Sequence, residues 1–139
     1  MFSVLSRVTP RLMAVRNIPA LASSYRFMSS EADKVIYIEQ NKEYDDLIAG
    51  KNPSIMYFFA TWCGPCKRMA PYFSALSNQN ENINFVKIDV DKVPDVATLE
   101  NVVSVPTFKL YSDKQLVAQF AGASKENLKS MVDYCNKKQ

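Results

Sequence analysis

Two cysteines separated by two residues are the part of this sequence best suited to chemistry. Cys63 and Cys66 enclose a Gly-Pro pair and follow a tryptophan. Thiols at this spacing serve either in redox exchange or as half of a metal site. A tetrahedral zinc needs further cysteine or histidine ligands, but the sequence has no histidine and only one other cysteine, Cys135. The composition therefore favours a redox dithiol and leaves a metal cluster bridged between two chains as the alternative.

The segments on either side of the cysteines predict how the thiols are presented. Residues 55–60 are apolar, as in a buried strand, and residues from Pro65 onward are good helix formers. Cys63 then lies where the unpaired N–H groups of the helix start favour a thiolate, the form that exchange requires. We predict that Cys63 attacks and that Cys66, within the first helical turn, resolves the mixed disulfide.

The eight residues 60–67, Ala-Thr-Trp-Cys-Gly-Pro-Cys-Lys, resemble the thioredoxin family. Three further segments follow in the family's order and at similar spacing: Asp89-Val90-Asp91, Val105-Pro106-Thr107 and Gly122-Ala123. The likeness covers about residues 34–137. It implies an α/β thioredoxin fold, with a central mixed β-sheet flanked by helices on both faces. It also implies a protein-disulfide reductase with a redox-active Cys63–Cys66 disulfide.

The resemblance further implies a cis proline beside the dithiol. Pro106 would have the cis bond, and the backbone of Val105 would pair with an extended substrate strand. Base rates for a proline taken alone favour a trans bond instead. The implied substrate-binding face is small and apolar and consists of Trp62, Gly64, Pro65, Val105, Pro106, Gly122 and Ala123. Taken alone, Trp62 is equally consistent with half-buried packing.

Electron supply is expected from a partner protein. The chain has three glycines and no G-x-G-x-x-G motif, so we expect no bound cofactor. The resemblance assigns NADPH and flavin to a thioredoxin reductase and implies disulfide clients such as peroxiredoxins. We expect a monomer that binds neither metal, nucleic acid nor membrane.

One position departs from the family's pattern. Most thioredoxins have a buried aspartate six residues before the first cysteine, where this chain has Tyr57. In some bacterial relatives a lysine on the neighbouring strand partners the aspartate, and we align that place with Phe85. The aspartate is thought to help remove the proton of Cys66. We therefore expect slower resolution, or resolution assisted by water or by the tyrosine hydroxyl.

The net charge of +3 is unevenly distributed over the 139 residues. Residues 1–30 contain four arginines and no acidic residue, whereas the remaining 13 basic residues are matched by 14 acidic ones. The arginine- and serine-rich segment 1–30 predicts a mitochondrial transit peptide, cleaved near residues 26–28, with the matrix as destination. A disordered N-terminus is the alternative. Residues 31–139 are predicted to form the thioredoxin domain, in a reducing compartment.

The elements are predicted in the order β-α-β-α-β-α-β-β-α. Strands are expected at 35–38, 54–60, 83–88, 108–111 and 116–120, the last two forming a hairpin around residues 112–114. Helices are expected at 40–49, from 65 with a bend at Pro71, at 94–100, and from a Ser124 cap. The inward side chains of the long helices are predicted to be Met69, Tyr72, Phe73, Leu76, Leu128, Met131 and Val132. Cys135 is interpreted as a packing residue, with a regulatory thiol as the alternative.

Two other functions remain as alternatives. A thioredoxin-like domain can act as an interaction or assembly subunit, although a scaffold needs no reactive dithiol. A dithiol oxidase or isomerase is the other alternative. Within the family, Gly-Pro between the cysteines resembles the reductants and histidine in that gap resembles the oxidants.

Overall fold

The structure is a computed structural model that describes residues 33–139. The prediction for residues 1–30 lies outside these described residues. The described elements, in chain order, are β1 (Val35–Ile38), α1 (Asn41–Ala49), β2 (Ser54–Phe59), α2 (Gly64–Gln79), β3 (Asn84–Asp89), α3 (Pro94–Leu99), β4 (Thr107–Ser112), β5 (Gln115–Ala121) and α4 (Lys125–Lys138). Their order is the predicted one, and each bound lies within one residue of the predicted bound.

The five strands form one mixed sheet in the order β1-β3-β2-β4-β5. β3 pairs in parallel with both β1 and β2, while β4 is antiparallel to β2 and to β5. β2 is therefore a central strand with hydrogen-bonded neighbours on both sides. The predicted mixed sheet is confirmed.

Both faces of β2 are buried, which explains its continuous apolar sequence. Ile55 and Tyr57 lie in a cluster with side chains of α2 and α4, whereas Met56 and Phe58 lie in a second cluster with side chains of α1 and α3. All four side chains are fully buried. We call the side covered by α2 and α4 the dithiol face, because its cluster contains both cysteines of the motif, and the other side the back face.

Two local predictions were wrong. The hairpin turn contains only Asp113 and Lys114, both with positive φ (52° and 64°), because Ser112 belongs to β4 and pairs with Gln115. Tyr72 is half-buried at the edge of the core and not fully inward, and the ammonium of Lys125 lies 5.4 Å from the centroid of its ring. The other side chains predicted to face inward from α2 and α4 are buried.

The last helix begins as predicted. The Ser124 hydroxyl accepts a hydrogen bond from the Asn127 N–H at 3.2 Å and so satisfies one free donor of the first turn. Within residues 33–139, none of the helices has the length and apolar character needed to span a bilayer.

Candidate functional site

The two cysteines of the motif lie at the N-terminus of α2 and are joined by a disulfide. Their Cα atoms are 5.3 Å apart. Cys63 is the N-cap residue, and its Sγ accepts a hydrogen bond from the Cys66 N–H at 3.2 Å. Pro65 occupies the first turn, where its missing N–H costs no helical bond. A thiolate formed at Cys63 on reduction would lie at the positive end of the helix dipole.

The residues around the disulfide are more exposed than the two cysteines. Cys63 is 4% exposed and Cys66 2%, whereas Trp62 is 70% exposed and Gly64 and Pro65 are also exposed. The Trp62 Nε1 donates to the Asp91 carboxylate at 3.0 Å. That bond restrains an indole ring that would otherwise be free on the surface. The interpretation of Trp62 as a half-buried packing residue is therefore not supported.

The Val105–Pro106 peptide bond is cis, as the resemblance implied. β4 begins one residue later, and its first residue, Thr107, lies opposite Phe58 near the end of β2. Since the disulfide follows β2, the sheet brings Val105 and Pro106 to the same edge as the cysteines. Val105 packs against the core cluster that contains both cysteines.

Gly122 and Ala123 follow β5 at that same edge. The Gly122 N–H donates to the Pro106 carbonyl at 2.8 Å, and Gly122 has a φ of 101°, which favours glycine. Ala123 lines a surface cavity together with Met69 of α2. Both residues are exposed. The structure thus brings every residue of the expected substrate-binding face to the end of the sheet that carries the disulfide.

Tyr57 lies beneath the disulfide on the dithiol face. Its hydroxyl donates to the backbone carbonyl of Cys66 at 2.5 Å. Its ring stacks on Phe108 at a centroid distance of 4.6 Å and packs against Phe73 at 5.1 Å. Burial raises the pKa of Tyr57 to about 12. The hydroxyl therefore keeps its proton at neutral pH and acts as a donor to the backbone, which argues against its use as a base for Cys66.

The strand beside Tyr57 presents a lysine, and the alignment of Phe85 with that place was wrong. In the β2–β3 register Tyr57 lies opposite Lys87, and Phe85 lies opposite Ile55. The Lys87 ammonium lies 5.6 Å from the centroid of the Tyr57 ring and 4.7 Å from that of Phe59. Burial lowers the pKa of Lys87, against an opposing effect of the Asp33 charge. Phe85 and Lys87 are two residues apart and share a face, so only the strand register distinguishes them.

A cavity of about 250 Å³ lies beside these residues, and Tyr57, Cys66 and Lys87 all line it. The cavity has room for water near Cys66, the predicted resolving cysteine. An ammonium on its wall favours a negative charge within it. Sequence reasoning did not place Lys87 beside the dithiol.

The remaining thiol belongs to the core. Cys135 is 2% exposed and unpaired in α4, and burial raises its pKa to about 11. The structure supports its interpretation as a packing residue. No group of three or more potential metal ligands occurs in the part of the chain that the structure describes.

Comparison with known proteins identifies relatives over the same part of the chain. The family model described as Thioredoxin matches residues 35–134. Thioredoxin 1 of Plasmodium falciparum (isolate 3D7) is 38% identical over 96 residues, which are 69% of this chain and 92% of that protein. The crystal structure of oxidized mitochondrial thioredoxin 3 from Saccharomyces cerevisiae superposes with a TM-score of 0.67 at 37% identity, over 71% of this chain and 94% of that one.

A further similar structure comes from work on thiol resolution in yeast mitochondrial 1-Cys peroxiredoxin via glutathione and thioredoxin systems. It matches with a TM-score of 0.67 at 36% identity, over 71% of this chain and 94% of that chain. The match to the family model begins at β1 and ends within α4.

Proposed function

This chain belongs to the thioredoxin family and is a protein-disulfide reductase, and we propose that Cys63 is its attacking thiol and Cys66 its resolving thiol. The observation that carries this assignment is the position of Cys63 as the N-cap of α2. The Cys63 sulfur accepts a hydrogen bond from the Cys66 N–H, whereas Cys66 lies within the first helical turn and lines the cavity beside Tyr57. A thiolate is therefore favoured more at Cys63 than at Cys66.

Turnover proceeds by two exchange steps. In the first, the Cys63 thiolate attacks a client disulfide, forms a Cys63–client bond and releases one client sulfur as a thiolate. In the second, the Cys66 thiol loses its proton to water in the adjoining cavity, and the thiolate attacks the Cys63 sulfur. The Cys63–Cys66 disulfide forms, the second client sulfur leaves, and two electrons have passed to the client.

The client docks on the apolar surface that surrounds the disulfide. Trp62, Gly64 and Pro65 form one side of this surface, and Val105 and Pro106 lie at the same edge of the sheet. Gly122 is tied to Pro106 by a hydrogen bond, and Ala123 continues the surface toward α2. The backbone of Val105 offers hydrogen-bonding groups to an extended client segment.

The disulfide must be reduced again by a partner. A thioredoxin reductase that uses NADPH and flavin is the electron source, and the chain itself acts as a monomer without a bound cofactor. Peroxiredoxins are proposed as clients, and the similarity to a chain studied with yeast mitochondrial 1-Cys peroxiredoxin supports this class.

The mitochondrial matrix is the proposed location, with residues 1–30 as a cleaved transit peptide and residues 31–139 as the thioredoxin domain. The arginine-rich, acid-free composition of residues 1–30 and the likeness to yeast mitochondrial thioredoxin 3 support it. Fusing residues 1–30 to a fluorescent protein tests it. Mitochondrial fluorescence that disappears when Arg7, Arg11 and Arg16 become glutamine is expected, and diffuse fluorescence of the unmodified fusion would contradict the proposal.

Insulin reduction tests the catalytic roles. Reduced full-length protein is mixed with insulin and dithiothreitol, and turbidity is followed. Cys63→Ser is expected to fall to the uncatalysed rate, and Cys66→Ser to form a stable mixed disulfide at Cys63. The matched control is Cys135→Ser, which removes a thiol of the same chain outside the site. An unchanged rate in Cys63→Ser would overturn the assignment.

The redox potential separates the reductase from the oxidase or isomerase alternative. Equilibration of the protein with glutathione measures it, and a reductase equilibrates near the potential of thioredoxin, about −270 mV. A value near −120 mV, typical of a strong oxidant, would contradict a role as electron donor.

A further inference from the structure

The hydroxyl of Tyr57 contacts the backbone of the resolving cysteine and not its sulfur. Tyr57 lies on β2, nine residues before Cys66, and its side chain is fully buried. The hydroxyl bond to the Cys66 carbonyl is a direct connection between the central strand and the first turn of α2. The stacking of the ring on Phe108 and its contact with Phe73 restrict the movement of the hydroxyl.

That first turn is attached to the rest of its helix by one hydrogen bond fewer than usual. Pro71 lies inside α2 and has no N–H. The carbonyl four residues before it, that of Lys67, therefore receives no helical hydrogen bond from this position. A hydrogen bond from outside the helix therefore stabilises the turn that holds Cys66 more than it would stabilise a turn of an unbroken helix.

The disulfide itself restrains this turn only in the oxidised protein. The Tyr57 hydroxyl bond involves neither sulfur atom, so opening the disulfide, as in the dithiol and in the mixed disulfide, does not itself break this bond. Its influence on the chemistry is therefore greatest in the states from which Cys66 must attack.

We propose that Tyr57 is a positioning residue for the resolving step, whose hydroxyl bond to the Cys66 carbonyl holds the Cys66 thiol within reach of the Cys63 sulfur while the disulfide is open. This inference rests on the proposed roles of the two cysteines. Holding a reacting group in place raises its effective concentration, which speeds the intramolecular attack and stabilises the disulfide that it forms.

The expected size follows from the strength of one hydrogen bond. Loss of such a bond changes a rate or an equilibrium by roughly 2- to 10-fold. Tyr57→Phe should therefore slow resolution by about that factor. The redox potential should rise by about 10 to 30 mV, because the disulfide form is stabilised less.

A two-phase thiol assay tests the proposal on full-length reduced protein with the Cys135→Ser background. Attack of Cys63 on the chromogenic aromatic disulfide dithiobis(nitrobenzoate) releases one coloured thiolate, and its rate depends on reagent concentration. Resolution by Cys66 releases the second, and its rate does not. Tyr57→Phe is expected to slow only the second phase. Tyr111→Phe is the matched control, because it removes a hydroxyl that bonds the Glu100 carboxylate on the back face.

Each result of this assay either supports or contradicts the positioning role of Tyr57. The positioning role would be overturned if Tyr57→Phe had the same second-phase rate and the same redox potential as Tyr111→Phe. It would also be overturned if Tyr57→Phe slowed both phases equally. Measured from pH 6 to 9, the second phase of Tyr57→Phe should keep the pH midpoint of the parent, because the hydroxyl takes no part in proton transfer. A shifted midpoint would contradict the proposal. Failure of the cysteine roles is distinguishable, since a first phase would then survive in Cys63→Ser.

A variant of Pro71 provides a second test of the proposal. Pro71→Ala supplies an N–H for the Lys67 carbonyl and should strengthen the first turn. The effect of Tyr57→Phe on the second phase is then expected to shrink in the Pro71→Ala background. If Tyr57→Phe slows the second phase equally in both backgrounds, the Tyr57 hydroxyl bond and the Lys67 carbonyl bond do not act on the same turn. That result would overturn the proposed link between Pro71 and Tyr57.

Discussion

The two faces of the sheet use buried polar groups differently. On the dithiol face the aromatic rings of Phe85, Phe73, Tyr57, Phe108 and Phe120 contact one another in sequence, and the Tyr57 hydroxyl reaches the Cys66 carbonyl. On the back face a lysine and a glutamate form a buried ion pair.

The back-face ion pair joins the end of α3 to β4. The Lys109 ammonium lies 2.9 Å from the Glu100 carboxylate and also donates to the Glu100 carbonyl at 2.5 Å, while the Tyr111 hydroxyl donates to the same carboxylate at 2.7 Å. Both charged side chains are at most 10% exposed. The buried hydroxyl of the dithiol face thus contacts the site, whereas the buried charges of the back face join two elements of the fold away from the site.

Breaking the ion pair should have the largest effect on stability. Lys109→Met leaves the Glu100 charge buried without its partner, and we expect a loss of roughly 3–5 kcal/mol in the free energy of unfolding. Urea denaturation measures it. The redox potential should not change, since the pair does not contact the dithiol. As a control, adding Glu100→Gln to Lys109→Met should recover part of the lost stability. If Lys109→Met alone is as stable as the parent, the ion pair does not contribute to stability as proposed.

Two tyrosine variants measure what a buried hydroxyl contributes on each face of the sheet. Tyr111→Phe removes a hydrogen bond to a charged group and should cost about 1.5–3 kcal/mol, while Tyr57→Phe removes one to a neutral carbonyl and should cost about 0.5–1.5 kcal/mol. Denaturation curves of the two variants give both values. If Tyr57→Phe is the more destabilising of the two, the expected difference between the charged and the neutral hydrogen-bond acceptor is contradicted.

Acid is expected to destabilise the protein by protonating Glu100 on the back face. Burial opposes ionisation of Glu100, but the hydrogen bonds that it accepts and the Lys109 charge outweigh this and leave its pKa lowered. A carboxyl whose pKa is lower in the folded protein stabilises it above the ordinary glutamate pKa of about 4.3, and the contribution is lost as the pH falls through the lowered value. Between pH 5 and pH 3 the parent should therefore lose more stability than Glu100→Gln. Equal losses would contradict this assignment.

The smallest effect is expected at Cys135, although it belongs to the dithiol face. Burial raises the pKa of Cys135 to about 11, so the thiol stays protonated and covered at neutral pH. Iodoacetamide at pH 7.5 should label the reduced motif and leave Cys135 unmodified until the protein is unfolded. Mass spectrometry of digests shows which thiols are labelled. Labelling of native Cys135 as fast as Cys63 would refute the packing role.

Sequence patterns predicted the elements and their order because each signal is local. The apolar run of β2, Gly50 after α1 and the Ser124 cap each act within a few residues. The mixed sheet followed from the order of the elements, whereas the cis bond at Pro106 came from the family resemblance. The motif itself identified the two cysteines at one helix start, whereas the residues of the substrate-binding face came from the family resemblance.

What the sequence did not reveal depends on register and direction. Lys87 and Phe85 share a face of β3, so only pairing with β2 shows which of them lies opposite Tyr57. The direction of the Tyr57 hydroxyl toward the Cys66 carbonyl depends on the packing of α2 over the sheet. The ion pair of Lys109 with Glu100 joins two elements that no local pattern relates.

The pH dependence of Cys63 alkylation tests most directly the claim that the start of α2 activates this thiol. Reduced protein carrying Cys66→Ser and Cys135→Ser is treated with iodoacetamide across the pH range, leaving one reactive cysteine. A midpoint below about pH 7.5 is the expected result, as for thiols at helix N-termini. A midpoint at or above about 8.5, the value of an ordinary free cysteine, would contradict the account.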